Sequence, residues 1–330
     1  MLGAGAVGGA IGGRLFEHRE RHGHETILIA RGQHHDVITA DGLTVVDPDR
    51  SVTLAVPVVS SPQKLTIGSS DTVILATKTQ QAAIALDELR NTAHGEPLVV
   101  CATNGVETER IALRRFERVS GMCVMLPALF LEPGVVEVAC APVTGVLDTG
   151  RYPKGSDEQT AALAAALRVS TFESIVNDDI MGSKYRKLLM NMGNAVEAAT
   201  GMRSNNSILI QHALQEAQAC FDAAAIQLIE DSDERARRAL LPASRQVGDR
   251  VRHGSTWQTL ARGASNTESD YLSGEIVLLG RLHGVPTPAN ELLQRTMAQM
   301  AADGTPPGSL SEAHLIAQLA EDQSASALPR

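Results

Sequence analysis

The first eight residues, Met-Leu-Gly-Ala-Gly-Ala-Val-Gly, constrain the fold of this chain more than any other stretch. Gly3, Gly5 and Gly8 stand at the spacing of a dinucleotide-binding turn. The first glycine permits a tight turn out of a strand, the second lets backbone approach a pyrophosphate, and the third lets the following helix lie close on the sheet. Unpaired N–H groups at the helix start would then face the phosphates, which makes Gly3, Ala4, Gly5, Ala6, Val7 and Gly8 the first cofactor-binding candidates. Such a turn normally follows a strand of about five or six residues, yet only Met1 and Leu2 precede Gly3. A central strand this short would leave its neighbours with unpaired backbone groups. The expectation is therefore that the first strand is truncated here and that the natural start lies upstream of Met1.

Beyond the turn, helices and strands alternate. Ala6 to about Arg21 is expected as a helix closed by Gly23, and Thr26 to Ala30 as a short buried strand ending at Arg31. An NAD-preferring protein carries Asp or Glu at that strand end, whereas a guanidinium suits the 2′-phosphate of NADP. No acid stands beside Arg31 in the sequence, so NADP (NADPH) is favoured, with a solvated loop arginine as the alternative. His34 and His35 are expected as loop residues. Residues 42–60 alternate apolar and polar around a Pro-Asp turn, which suggests a small antiparallel excursion. Asp71 to Thr77 is a further buried strand with Lys78 at its carboxyl end, the end at which open α/β sheets place ligands. A solvated charge is the alternative there. Leu98 to Ala102 ends likewise at Asn104-Gly105, where Asn104 either holds a ligand or merely forms a turn. Strand-like runs at Gly121–Leu126, Val135–Ala139 and Thr144–Leu147 complete a mixed sheet. Beyond Ser156 the chain turns almost wholly helical.

The fold class expected is thus α/β, a Rossmann-type dinucleotide-binding domain followed by an all-α C-terminal domain. The division is placed at residues 1–172 and 173–330. In the second part a helix from Asp178 to about Thr200 carries Lys187, Asn191 and Asn194 at i, i+4 and i+7, on one face. That face either lines a polar pocket or meets solvent. A second helix is expected over about Ile208–Ile229, an exposed salt-bridged helix face over Glu230–Arg238, a capped start at Gly254-Ser255-Thr256, and a helix ending near His283.

Composition narrows the function classes. A net charge of −9 argues against a general nucleic-acid or anionic-membrane binder. No apolar run approaches bilayer-spanning length. The four cysteines show no CxxC pairing and fit buried thiols in a reducing compartment, so a cytoplasmic location is expected. The ten histidines form no ligand-spaced cluster, so no metal is expected.

Taken together, the chain resembles the ketopantoate reductase (2-dehydropantoate 2-reductase) family over nearly its whole length. The resemblance rests on Gly3 to Gly8, Arg31, Lys78 in Ala76-Thr77-Lys78, the Asn104-Gly105 turn, Lys187 with Asn191, Thr267-Glu268 before Asp270-Tyr271, and His283 to Pro288. It implies NADPH-dependent reduction of a small 2-oxo acid, ketopantoate to pantoate. Lys187 would be the general acid, Asn191 and Asn194 would hold the substrate, and Asn104 would touch both substrate and nicotinamide. Glu268 would sit against the lysine and the cofactor, and Ser255 or Thr256 would bind the substrate carboxylate. Three departures bear on the substrate. The family's second asparagine usually comes eight residues after the lysine, where Ala195 stands here, its serine is replaced by Thr256 beside Ser255, and Ser269 and Ser273 stand where Ile and Asn are common. A lysine with a pKa near 10.4 in water would need tuning by partial burial and by Glu268 to act as the acid. A reductase of a different branched 2-oxo acid and a non-catalytic NADPH-binding protein are the rival readings. The oligomeric state stays open, a homodimer among the options.

Overall fold

Leu2 occupies the middle of the main sheet. In the computed structural model, which describes residues 1–202, 207–245, 247 and 253–326, Leu2 pairs in parallel with Ile29 on one side and Leu75 on the other. Its N–H donates to the Ile74 carbonyl at 2.8 Å, and the Ala76 N–H donates to its carbonyl at 2.9 Å. The short segment therefore satisfies backbone groups of both neighbours at this level.

On one side of Leu2 lie β1 (Leu28–Ile29) and, parallel to it, a later strand at Val58–Val59. Between them in sequence come the antiparallel pair β2 (Leu43–Val46) and β3 (Ser51–Leu54), so the latter partner of β1 is β4. On the other side run β5 (Thr72–Leu75), β6 (Leu98–Cys101) and β7 (Val119–Met125), all parallel. After β8 (Ala128–Leu129) and β9 (Val135–Val138), β10 (Gly145–Arg151) joins antiparallel to β7 and β11 (Phe172–Glu173) closes that edge. This order is the doubly wound one, with the glycine turn leaving its central strand. β2, β3, β8 and β9 form a separate four-stranded sheet. The expected excursion at 42–60 is the β2–β3 pair, and the expected strands are present, β1, β5, β6 and β9 shorter than their apolar runs and β7 and β10 longer.

Alternation along the strands decides which helices cover which face. Val73, Leu75, Val99 and Cys101 point to one side, where they pack with Ala82, Leu86 and Leu89 of α4 (Thr79–Arg90) and Ala112 of α5 (Thr108–Leu113). Ile74, Leu98, Val100 and Met122 point to the other, where they meet Ile11 and Leu15 of α1 (Ala6–Glu17) and Leu163 and Leu167 of α6 (Glu158–Val169). Two shorter helices, α2 (Arg19–His22) and α3 (Gly32–Asp41), precede α4. His18 interrupts the expected long first helix, and Gly23 ends α2 in the left-handed region. His34 and His35 lie in α3 rather than in a loop. All four cysteines are buried and free.

The remaining helices are α7 (Ile180–Thr200), α8 (Ile208–Ala223), α9 (Asp231–Ala239), α10 (Ser255–Ala261), α11 (Ser273–His283), α12 (Pro288–Asp303) and α13 (Glu312–Ser326). Ser207 caps α8, Gly284 ends α11 in the left-handed region just after the expected end at His283, and Pro288 opens α12. The Glu216 carboxylate of α8 accepts from the Ala289 and Asn290 N–H groups at 2.8 and 2.9 Å, which satisfies the start of α12.

The chain divides into two units, one of Met1–Lys184 with Ile229–Val251 and one of Tyr185–Leu228 with Arg252–Arg330. The division thus falls within α7, later than the 172/173 boundary read from composition, because β11 still pairs with β10 and the first turn of α7 is held by the sheet unit. Residues 229–251 return to that unit as well. As expected from sequence, α9 is largely exposed and carries an i,i+4 ion pair between Glu234 and Arg238, but it is also anchored, since Arg237 forks onto the Asp148 carboxylate of β10 at 2.5 and 2.8 Å and Glu234 is buried. Among the described residues no helix is long and apolar enough to cross a membrane.

Candidate active-site residues in the two units

In the sheet unit the three motif glycines have three different surroundings. Gly3 has a φ of +96°, and a side chain there would meet Thr77 and the Ala76 backbone at 3.0–3.1 Å. At Gly8 a Cβ would stand 1.9 Å from the Gly3 carbonyl oxygen, so only glycine lets α1 start this close to the turn. At Gly5, the residue that caps α1, a Cβ would meet nothing within 4 Å. Its missing side chain therefore clears space outside the protein's own packing, as an approaching pyrophosphate requires. The first turn of α1 contains no acidic residue to neutralise its positive end. The Thr77 hydroxyl is buried beside Gly3 with no partner among the described residues. These features fit a dinucleotide: an unneutralised helix start, a cleared approach at Gly5 and a spare hydroxyl next to the turn.

Leu2, β5 and β6 run parallel and side by side, which sets the glycine turn, Lys78 and Asn104 along one edge of the sheet. Lys78 caps α4 in extended backbone. Asn104 follows β6 and precedes Gly105, whose φ is +74°. Arg31 caps α3 at the carboxyl end of β1 and is largely exposed. It pairs with the Glu88 carboxylate of α4, an acidic neighbour that inspection of the local sequence does not find. A cavity of about 460 Å³ opens at the opposite end, beside Thr26 and Thr72 at the amino ends of β1 and β5. Ligands of this fold bind at the carboxyl ends.

Two groups without a local sequence signature support this edge. His34 Nε2 donates to the Ala4 carbonyl at 2.8 Å, while Nδ1 accepts from the Gly134 N–H at 2.9 Å. Lys184 Nζ, 2% exposed, donates to the Thr103 carbonyl at 3.1 Å and pairs with the fully buried Glu109 carboxylate. Burial pushes the Glu109 carboxyl above its usual value of 4.5, against the opposing pull of the Lys184 ammonium. The only sequence signal for Lys184 is its place one turn before Lys187 on the same helix.

In the helical unit, Lys187, Asn191 and Asn194 are each half-buried on α7, with Leu188, Met192, Ala195 and Val196 buried beside them. The Asn191 side-chain nitrogen is buried with no partner among the described residues. Asn194 stands against the start of α10: a Cβ at Gly254 would lie 3.3 Å from its oxygen. One turn further on, the Glu197 carboxylate accepts from the Gly254 N–H at 3.2 and 3.3 Å and meets His253 Nδ1 at 3.2 Å. The structure therefore brings Asn194 together with the segment that carries Ser255 and Thr256, the former half-buried and the latter buried. Glu268 comes from a separate element, buried at the start of the single turn Ser269–Tyr271.

These pieces match a known family in two parts. The ketopantoate reductase PanE/ApbA family model covers residues 1–152, and the ketopantoate reductase PanE/ApbA C-terminal model covers residues 179–301. The chain belongs to the ketopantoate reductase family. Curated relatives include the 2-dehydropantoate 2-reductase of Pyrococcus horikoshii, 26% identical over 89% of this chain and 94% of that protein. The 2-dehydropantoate 2-reductase of Halobacterium salinarum is 27% identical over 92% and 99%. Among solved structures, a ketopantoate reductase of the PanE/ApbA family from Ralstonia eutropha is similar at a TM-score of 0.75 and 27% identity, covering 92% of this chain and 98% of that one. D-mandelate dehydrogenase with NADH and anilino(oxo)acetate has the same fold at a TM-score of 0.75 and 24% identity, covering 91% and 97%. The family places the protein among oxidoreductases of the 2-oxo acid reductase class.

Proposed function

We propose that this ketopantoate reductase family member reduces 2-dehydropantoate to pantoate, with NADPH as the hydride donor and Lys187 as the proton donor. The observation that carries this reading is the α7 face, where an amine and two amides share one side of a helix and one amide nitrogen is buried without a partner among the described residues. Leaving such a donor unsatisfied costs about 1–3 kcal/mol, which a ligand oxygen would relieve.

When bound, NADPH supplies a hydride to the 2-carbon of the oxo acid, and negative charge develops on the carbonyl oxygen. Lys187 as an ammonium donates its proton to that oxygen. Asn191 and Asn194 hold the substrate by their amides, and Ser255 and Thr256 at the start of α10 take its carboxylate. Asn104 orients substrate and nicotinamide from the end of β6. Glu268 sets the charge of Lys187 and contacts the cofactor. The turn from Gly3 to Gly8 receives the pyrophosphate on backbone N–H groups. Arg31 pairs with the 2′-phosphate and so selects NADPH over NADH, with Lys78 beside the phosphates.

A second reading, reduction of a different branched 2-oxo acid by the same residues, is favoured by the position of Asn194, one residue earlier on α7 than the family's usual second asparagine. Purified protein with NADPH and a panel of 2-oxo acids separates the two. Rapid NADPH oxidation with 2-dehydropantoate supports the first reading, and oxidation only with another acid supports the second. Tight NADPH binding with no oxidation by any member of the panel overturns both and leaves a binding protein without turnover.

A further inference from the structure

We propose that His34 is a positioning residue for the dinucleotide, setting the direction in which the glycine turn presents its backbone N–H groups to the pyrophosphate. The inference rests on the reading of that turn as the cofactor site, and concerns a side chain on a different element, α3.

The Ala4 carbonyl and the Gly5 N–H belong to one planar trans peptide and point in opposite directions. Whatever fixes the first fixes the second. His34 Nε2 donates to the Ala4 oxygen at 2.8 Å, so the Gly5 N–H is aimed away from α3. At Gly5 a side chain would meet no protein atom within 4 Å, and Gly5 caps α1, whose first turn lacks an acid. Ala4 itself is buried at 3% exposure, so its oxygen has little access to water as a substitute donor.

The imidazole is itself held at two further points. Its Nδ1 accepts from the Gly134 N–H at 2.9 Å, which requires the neutral ring with its proton on Nε2. The ring packs on Phe130 with centroids 4.5 Å apart. Gly134 in turn accepts from Thr44 at 2.8 Å through its carbonyl, which ties it to β2. One side chain thus links the glycine turn, the start of α3 three residues after Arg31, and the turn into β9. Burial keeps its pKa below the usual 6.5, in keeping with the neutral form. A ring that only filled space would need neither nitrogen directed at a backbone group.

The test compares three variants of the full-length protein by equilibrium titration with NADPH and with NADH, alongside thermal midpoints. His34→Gln keeps an N–H donor that can reach Ala4, His34→Asn keeps only an acceptor near Gly134, and His34→Phe keeps neither. The expected result is a tenfold or larger rise in Kd for both dinucleotides in His34→Phe and His34→Asn, with His34→Gln within about threefold of the parent. At saturating NADPH, kcat should stay within about twofold while the KM for NADPH rises. Dinucleotide affinity within twofold of the parent in His34→Phe and His34→Asn overturns the inference. So does a loss of affinity that follows thermal midpoint across the three variants and is not rescued by glutamine. A parent protein that binds neither dinucleotide overturns instead the reading of the glycine turn on which this rests.

Discussion

Replacing Lys184 with methionine isolates the buried pair that fastens the first turn of α7. The side chains of Lys184 and Glu109 are 2% and 0% exposed. Removing one member of such a pair leaves the other charged and desolvated, at a cost of about 3–5 kcal/mol. The other oxygen of Glu109 has no partner among the described residues to turn to, and the Thr103 carbonyl loses its 3.1 Å donor as well. For a unit of this size about 1 kcal/mol corresponds to roughly 2–4 °C, so Lys184→Met should lower the melting of the sheet unit by about 10 °C. The cost should also depend on pH. Glu109 already holds its proton more tightly folded than at its ordinary value of 4.5, and losing the ammonium strengthens that hold. The folded protein then binds more protons than the unfolded one above 4.5, so stability falls as pH rises. The deficit of Lys184→Met should therefore be smaller at pH 5 than at pH 8. The double variant Lys184→Met with Glu109→Leu should recover most of the loss, since an apolar pair of similar volume is often neutral or better. Circular dichroism melts at the two pH values measure each of these effects. A single-variant loss below about 1 kcal/mol, or a deficit equal at both pH values, would refute the reasoning.

Arg31→Ala should weaken NADPH by about 10- to 100-fold, the worth of a charge-assisted contact, while NADH changes by less than threefold; equal weakening in titration rejects the phosphate assignment. Glu88→Gln, which releases the Arg31 guanidinium from its present partner, should tighten NADPH a few-fold and leave NADH unchanged. Gly5→Ala should melt with the parent, because its Cβ meets nothing within 4 Å, yet lose at least tenfold in dinucleotide affinity. Gly8→Ala, with its Cβ 1.9 Å from the Gly3 oxygen, should lose both. Gly254→Ala would drive a methyl group into Glu197 and Asn194, at 2.7 and 3.3 Å; it should raise the KM for the 2-oxo acid without changing NADPH affinity, and an unchanged KM would detach the start of α10 from substrate binding.

Much of the architecture is legible in the sequence because parallel strands buried on both faces write continuous apolar runs, such as Leu98 to Cys101, and because their carboxyl ends mark where ligands go. The i, i+4, i+7 spacing of Lys187, Asn191 and Asn194 likewise needs only helical geometry. What the chain does not advertise is long-range pairing of single polar side chains. Glu88 reaches Arg31 from a helix 57 positions away, and Lys184 reaches Glu109 from 75 positions away; neither carries a local pattern. His34 reads as a loop residue because it follows closely on the strand end at Arg31, yet Arg31 caps a helix there. The run at Glu230–Arg238 reads as solvated for the same reason that charged helices usually are, and only the fold shows Arg237 forked onto Asp148. The division within α7 is equally hidden, since no break in helical periodicity marks the place where one unit gives way to the next.

The amine of Lys187 is the proposed source of the proton, and turnover of Lys187→Ala with NADPH and 2-dehydropantoate tests that directly. The expected result is a fall in kcat of about two or more orders of magnitude, the usual contribution of a general acid, with NADPH affinity held at the parent value. A variant that binds NADPH normally and turns over at close to the parent rate contradicts it.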